Sequence, residues 1–276
     1  MQVLKNTKVV SLATNLPGPL AVARLRDLGA AVRKVEPPGG DLLQRADPEW
    51  YRSLHEGITV ERLDLKDLTG RTRIDTYLHE ANLLVTSSRP SSLERLGLGW
   101  DDLHRRFERL AQVAIVGSPA PNEDLPGHDL TYQAEHGLVQ PPELPRTCLA
   151  DLGGALEAVI AALELVIAGQ AGAPGRRIAV SLSASAKWFA APLARGITSP
   201  GGQLGGGFAG YGIYQTRQGW IAVAALEPHF QNALARELGV AKLEAEVLQQ
   251  AFLKRTADEW LERALKSDLP IVKVIE

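Results

Sequence analysis

Residues Lys8 to Glu36 read KVVSLATNLPGPLAVARLRDLGAAVRKVE, and the order of apolar and breaker residues in this stretch decides the fold. Lys8 to Ala13 is a short apolar run of the kind that suits a buried strand. Thr14-Asn15-Leu16-Pro17-Gly18-Pro19 interrupts it, and Pro19 can open a helix because its missing N–H would have no intrahelical partner there. Leu20 to Leu28 then spaces Leu, Val and Ala helically, with Arg24, Arg26 and Asp27 toward water. Gly29 closes that helix, and Ala31 to Glu36 (AVRKVE) reads as a second strand. Strand, helix, strand at this pitch implies a parallel βαβ unit.

Outward from this unit, Pro37-Pro38-Gly39-Gly40 ends the pattern, and it resumes at Asn82 to Val85 as a strand. Leu93 to Arg109 is helical with a break at Gly97 to Gly99, and Gln112 to Val116 is a further strand. The longest helix is expected from Leu152 to Gly169 with Asp151 as its N-cap, followed by a strand at Arg177 to Leu182. Glycine is dense from Gly201 to Gly212, which reads as a flexible linker or a loop over a ligand. Tyr214 to Ala225 is expected as a β-hairpin turning at Gln218-Gly219, with helices near Pro228 to Leu238 and Thr256 to Lys266. Pro270 to Glu276 ends the chain in an apolar strand pattern. The expected architecture is α/β: a Rossmann-like parallel sheet over residues 1–199 and a smaller α+β unit over residues 200–276.

Composition bounds the function. The 276 residues carry 30 Lys+Arg against 32 Asp+Glu, so no basic excess drives binding to nucleic acid or an anionic membrane. Glu157 and Glu164 interrupt the apolar run Gly154 to Gly169, which therefore reads as an amphipathic helix rather than a membrane span. Met1 to Lys8 is too polar for a signal peptide, and the lone Cys148 excludes a disulfide framework, so a soluble cytoplasmic protein is expected. The loop TNLPGP lacks the glycines that bring a backbone close to a pyrophosphate, which argues against NAD. No P-loop, HExxH or GxSxG is present, and six scattered histidines lack metal-ligand spacing, so no metal is expected. Polar residues at element ends remain: His128 in PGHD, Asp151 before LGG, and Glu227 before Pro228. Each has a plain alternative: a solvated loop histidine, a helix cap worth about 1 kcal/mol, and the last residue before a turn.

Several segments stand in order along the chain: the opening VVSLATNLPGPLAVARLRDLGAAVRKVEPPGGD, then LDLKDLTGR at Leu63 to Arg71 and RPSSLERLGLGWDDL at Arg89 to Leu103. GHDLTYQAEHGL at Gly127 to Leu138, LADLGGALEAVIAALELV at Leu149 to Val166, GRRIAVSL at Gly175 to Leu182 and GWIAVAALEPHF at Gly219 to Phe230 complete them. Together they resemble the family III CoA-transferases, which include the α-methylacyl-CoA racemases. The resemblance implies a Rossmann-like large domain, a small domain and an acyl-CoA thioester substrate, with CoA belonging to the substrate and no separate cofactor. It implies CoA contacts from Lys34, from Leu63, Asp64 and Lys66, and from Arg89 and Arg95. It implies a homodimer, with the interlock of the family left open by the shorter C-terminus.

Asp151 matches the family's catalytic aspartate, a nucleophile in the transferases. His128 and Glu227 match the histidine and glutamate added by the racemases, and Gly205-Gly206-Gly207 matches the glycine stretch that approaches the site. The three together favour a racemase: His128 and Asp151 would exchange an α-proton across a 2-methylacyl thioester, and Glu227 would orient His128. The positive end of the long helix, with Gly153 and Gly154 leaving its backbone open, would favour an enolate oxygen. A CoA-transferase with an aspartyl-CoA intermediate is the alternative. A non-catalytic relative that binds acyl-CoA or a partner subunit is the second.

Overall fold

A computed structural model of the chain describes residues 2–275. The βαβ unit is present as β1 (Lys8–Ser11), α1 (Pro17–Asp27) and β2 (Ala31–Glu36), with the two strands parallel and Ser11 opposite Lys34. The helix opens at Pro17 rather than Pro19, because an earlier proline already supplies the pre-set φ that a first turn accepts. Gly29 takes φ +103°, the left-handed value that ends the helix.

The stretch after Gly40 is structured where the sequence showed no pattern. It holds α2 (Leu42–Ala46), α3 (Pro48–His55), β3 (Thr59–Arg62) and α4 (Leu68–Glu80). An aspartate starts each helix: Asp41 accepts from the Leu43 N–H, Asp47 from Trp50 and Asp67 from Gly70. Then come β4 (Leu83–Thr86), α5 (Pro90–Arg95), α6 (Trp100–Arg106), β5 (Ala111–Val116), α7 (Asp129–Glu135), α8 (Leu149–Gln170), β6 (Arg177–Ser181) and α9 (Leu182–Phe189).

The six strands form one parallel sheet in the order β3-β2-β1-β4-β5-β6. This is the doubly wound order, with its switch point between β1 and β4. Val9, Val32, Val85, Val113 and Ile115 face α1 and α8 on one side, while Val10, Val35 and Leu84 face α4, α5 and α6 on the other. Apolar side chains on both faces explain why β4 and β5 read as nearly unbroken hydrophobic runs. By length and composition α8 could cross a membrane, but its buried stripe of Ala150, Gly153, Gly154, Ala158, Ala161 and Ala162 lies against this core.

The chain divides into two compact units, the first ending at Ala190 and the second beginning at Ala191. The second holds α10 (Ala191–Ala194), a π-type turn over Gln203–Gly207, β7 (Tyr211–Gln215), β8 (Trp220–Ala224), α11 (Pro228–Leu238), α12 (Ala245–Phe252), α13 (Ala257–Lys266) and β9 (Ile271–Lys273). Its antiparallel sheet runs β7-β8-β9, and its core is built on Ile221, Val223, Leu234, Leu248, Phe252 and Trp260. Residues 191–199 join the glycine run through backbone bonds, with Ser199 accepting from Gly202 and Ile197 from Leu204.

The glycine run is not the flexible stretch expected from its composition. Gly201 donates to the Gly205 carbonyl and Gly207 to that of Gly202, so the segment is knotted on itself. A Cβ on Gly205 would run into the Ser199 carbonyl, and one on Gly207 into the Gly201 carbonyl. Gly205→Ala is therefore expected to destabilise the second unit by roughly 1–3 kcal/mol, read as a lower urea midpoint; an unchanged midpoint would contradict the closed turn.

Candidate functional site

At the switch point of the sheet, the carboxyl ends of β1, β4 and β5 leave a cavity of about 190 Å3 within the first unit. Doubly wound sheets hold ligands at such a crevice. The β1–α1 loop contributes Thr14, Asn15 and Pro17, and the β4–α5 loop Ser87, Ser88 and Arg89. His128 and Tyr132 come from α7, and Asp151 from the first turn of α8.

Asp151 is not the N-cap that the sequence suggested. The helix begins at Leu149 with Cys148 at the N-cap, and that cap makes no side-chain bond. The missing cap comes from a neighbouring helix: Asp129 Oδ1 accepts the Asp151 N–H at 3.0 Å. Gln133 locks this arrangement by donating to Asp129 Oδ2 at 2.5 Å and to the Thr147 carbonyl at 2.9 Å. The Asp151 side chain is thereby left free to face the cavity. Burial pushes its carboxyl up to about 7, with the Asp129 charge adding to the effect. Its proton affinity is thus matched to neutral solution, the condition for proton transfer in both directions.

His128 is exposed at the N-cap of α7, where its backbone N–H donates to Thr131 Oγ1 at 3.1 Å and its carbonyl accepts from the same hydroxyl at 2.7 Å. These bonds fix its backbone and leave the imidazole open to the cavity. Tyr132 was missed by sequence reasoning, although it stands one helical turn after His128. It is buried, and its hydroxyl is pushed up first by burial and then by the Asp151 charge, with Arg89 opposing. Asp129 was also missed, although it directly follows the histidine.

Other expected site residues are placed differently. Gly153 and Gly154 do not open the backbone to a ligand: a Cβ on either would strike Phe189 or Leu182 of α9, so they exist for helix packing. Lys34 is fully buried in an ionic cluster rather than lining a groove. Leu63 half-packs against the α4–α6 side, Asp64 accepts from the Lys66 N–H at 2.9 Å, and the Lys66 side chain is exposed. Arg89 lines the cavity, whereas Arg95 is exposed on α5 and donates to Ser92 Oγ at 2.9 Å. Glu227 stands exposed at the N-cap of α11, and Gly205, Gly206 and Gly207 form the closed turn; all four belong to the second unit.

Comparison with known proteins accounts for this arrangement. The sequence profile of CoA-transferase family III matches residues 4–276. A succinyl-CoA–D-citramalate CoA-transferase of Chloroflexus aurantiacus is 29% identical over 184 residues, 60% of this chain but only 44% of that relative's length. The human α-methylacyl-CoA racemase is 30% identical over 258 residues, covering 86% of this chain and 65% of that protein. A crystal structure of a hypothetical protein from Mycobacterium tuberculosis superposes with a TM-score of 0.87, covering 100% of this chain and 85% of that one at 22% identity, a likeness of fold. With its doubly wound sheet and a profile match over nearly its whole length, the chain belongs to CoA-transferase family III, a family of enzymes.

Proposed function

We propose that the chain acts on acyl-CoA thioesters as a racemase or epimerase, inverting the α-carbon of a 2-methylacyl-CoA. The observation that carries this reading is a carboxyl raised to about 7 on Asp151, sharing one cavity with the open imidazole of His128. One group removes the α-proton and the C–H electron pair spreads into the thioester carbonyl as an enolate. The other group returns a proton to the opposite face, and the two exchange roles when the reaction reverses. Arg89 supplies charge to the CoA part of the substrate.

A transferase reading is favoured by the relatives named as CoA-transferases, the citramalate enzyme among them. In that reading Asp151 attacks the thioester carbonyl, releases the CoA thiolate and forms an acyl-aspartyl anhydride; the thiolate then attacks the aspartyl carbonyl, expelling the donor acid as its carboxylate and leaving an aspartyl-CoA thioester.

Incubation with a 2-methylacyl-CoA in deuterium oxide separates the two. The racemase reading expects α-deuterium by mass spectrometry, lost in His128→Ala by about 10²–10⁴-fold. Absence of deuterium together with a borohydride- or hydroxylamine-trapped adduct on Asp151 would replace it with the transferase. Absence of both would leave binding without turnover.

A further inference from the structure

Lys34 is among the largest fully buried side chains of the described residues, and its surroundings leave its ammonium nothing to offer a ligand. Its ammonium hydrogen-bonds Asp41 Oδ2 at 2.5 Å and His55 Nε2 at 2.9 Å, and pairs ionically with Glu36 Oε1 at 3.0 Å. His55 Nδ1 lies 2.6 Å from the Tyr51 carbonyl, which accepts only from an Nδ1–H tautomer and so leaves Nε2 as the acceptor for Lys34. The Tyr51 hydroxyl donates to Glu36 Oε1 at 2.6 Å. The ammonium is therefore enclosed by partners of this fold.

What the cluster holds is the β1–α1 loop. Asp41 is 1% exposed, and its second oxygen, Oδ1, accepts the N–H of Asn15 at 3.0 Å and of Leu43 at 3.0 Å. Asn15 lines the cavity in a left-handed conformation with φ +67°, which a side-chain-bearing residue keeps only when its surroundings hold it. Its neighbour Thr14 donates to Ser87 Oγ at 2.9 Å, tying this loop to the β4–α5 loop across the cavity.

We propose that Lys34 is a positioning residue that acts through Asp41 on Asn15 and so sets the wall of the substrate cavity, not a ligand of CoA phosphate. Without the ammonium, Asp41 and Glu36 become two buried like charges, and Asp41 turns away from the Asn15 N–H. The part of the test that uses CoA rests on the acyl-CoA reading; the part that reads the loop does not.

The experiment compares wild type, Lys34→Met and Asp41→Asn. The asparagine keeps only one oxygen, which cannot serve both Lys34 and Asn15, and it buries no new charge, so it decides the matter where Lys34→Met fails to fold. Hydrogen exchange at the Asn15 amide is expected to accelerate about ten-fold or more in each folded variant, with β5 amides still protected. Affinity for CoA is expected to fall by about ten-fold, while the preference for CoA over dephospho-CoA stays that of wild type. Unchanged exchange at Asn15 would overturn the proposal, and so would a collapse of the CoA over dephospho-CoA preference, which marks direct phosphate contact. Wild type failing to bind CoA would sink the acyl-CoA reading alone, and exchange at Asn15 would still decide the role of Lys34.

Discussion

Asp151→Asn is expected to remove α-proton exchange by about 10²–10⁴-fold while making the protein more stable above neutral pH. The two effects have one origin. Between the carboxyl's ordinary 3.8 and its value of about 7 in the fold, the native protein holds a proton that the unfolded chain has already lost. Stability of the wild type therefore falls as pH rises through this window, because the unfolded state binds fewer protons. An amide carries no charge to bury, so the variant escapes that loss. The difference is expected to be near zero at pH 4 and to reach a few kcal/mol, on the order of 2–4, by pH 8. Urea unfolding of both proteins across pH 4–8 measures it, and the subtraction removes every other titrating group. A difference that stays flat would show that Asp151 does not carry the raised proton affinity.

Phe252→Ala is expected to cost roughly 3–5 kcal/mol, the largest stability loss among the changes considered. Phe252 is fully buried in the core of the second unit. Its ring lies 5.0 Å from that of Tyr214 and 5.3 Å from that of Trp260, the latter edge-on. Edge-on and tilted aromatic pairs add about 0.5–1.5 kcal/mol beyond simple burial. The Trp260 indole N–H also donates to the Phe252 carbonyl at 2.8 Å, so its fluorescence reports on this core. Urea unfolding followed at Trp260 should move to a much lower midpoint. A loss below about 1 kcal/mol would mean that the aromatic cluster rearranges to fill the void.

Much of the architecture was legible because burial on two faces writes itself as apolar runs. Lys8 to Ala13 and Gln112 to Val116 could be read for that reason, Ala31 to Glu36 from its place after a helix closed by Gly29, and the helix Pro228 to Leu238 is found at its expected bounds. Of the missed elements, α2, α3 and β3 are short and β3 is mostly exposed, while α4 is longer but buries only Gly70, Ile74 and Leu78, so periodicity had little to show. Their signal lay in single residues, the aspartates Asp41, Asp47 and Asp67 at helix starts.

The candidate site was legible as residue types but not as relationships. Asp151 and His128 stand out in sequence, yet what shifts Asp151 is burial, with the Asp129 charge adding to it, and only folding brings two helices together at that point. Lys34 looked like a phosphate ligand because charge is visible in a sequence and burial is not. The glycines misled in the same way: Gly153 and Gly154 admit Phe189 and Leu182, and the Gly201 to Gly207 run closes on itself.

Pro17 and Pro19 at the opening of α1 have a consequence for how charge enters the crevice. In dinucleotide-binding relatives of this topology, the first helix offers a row of free N–H groups to a pyrophosphate. Here two of those positions have no hydrogen to donate. The backbone has surrendered its grip on anions at the spot where the topology would place them, and side chains such as Arg89 must supply it instead. A backbone cradle is fixed, whereas an exposed guanidinium is screened by dissolved salt within about 10 Å at 0.1 M. If the crevice takes the proposed acyl-CoA, ionic strength becomes a dial on how firmly that charged carrier is retained.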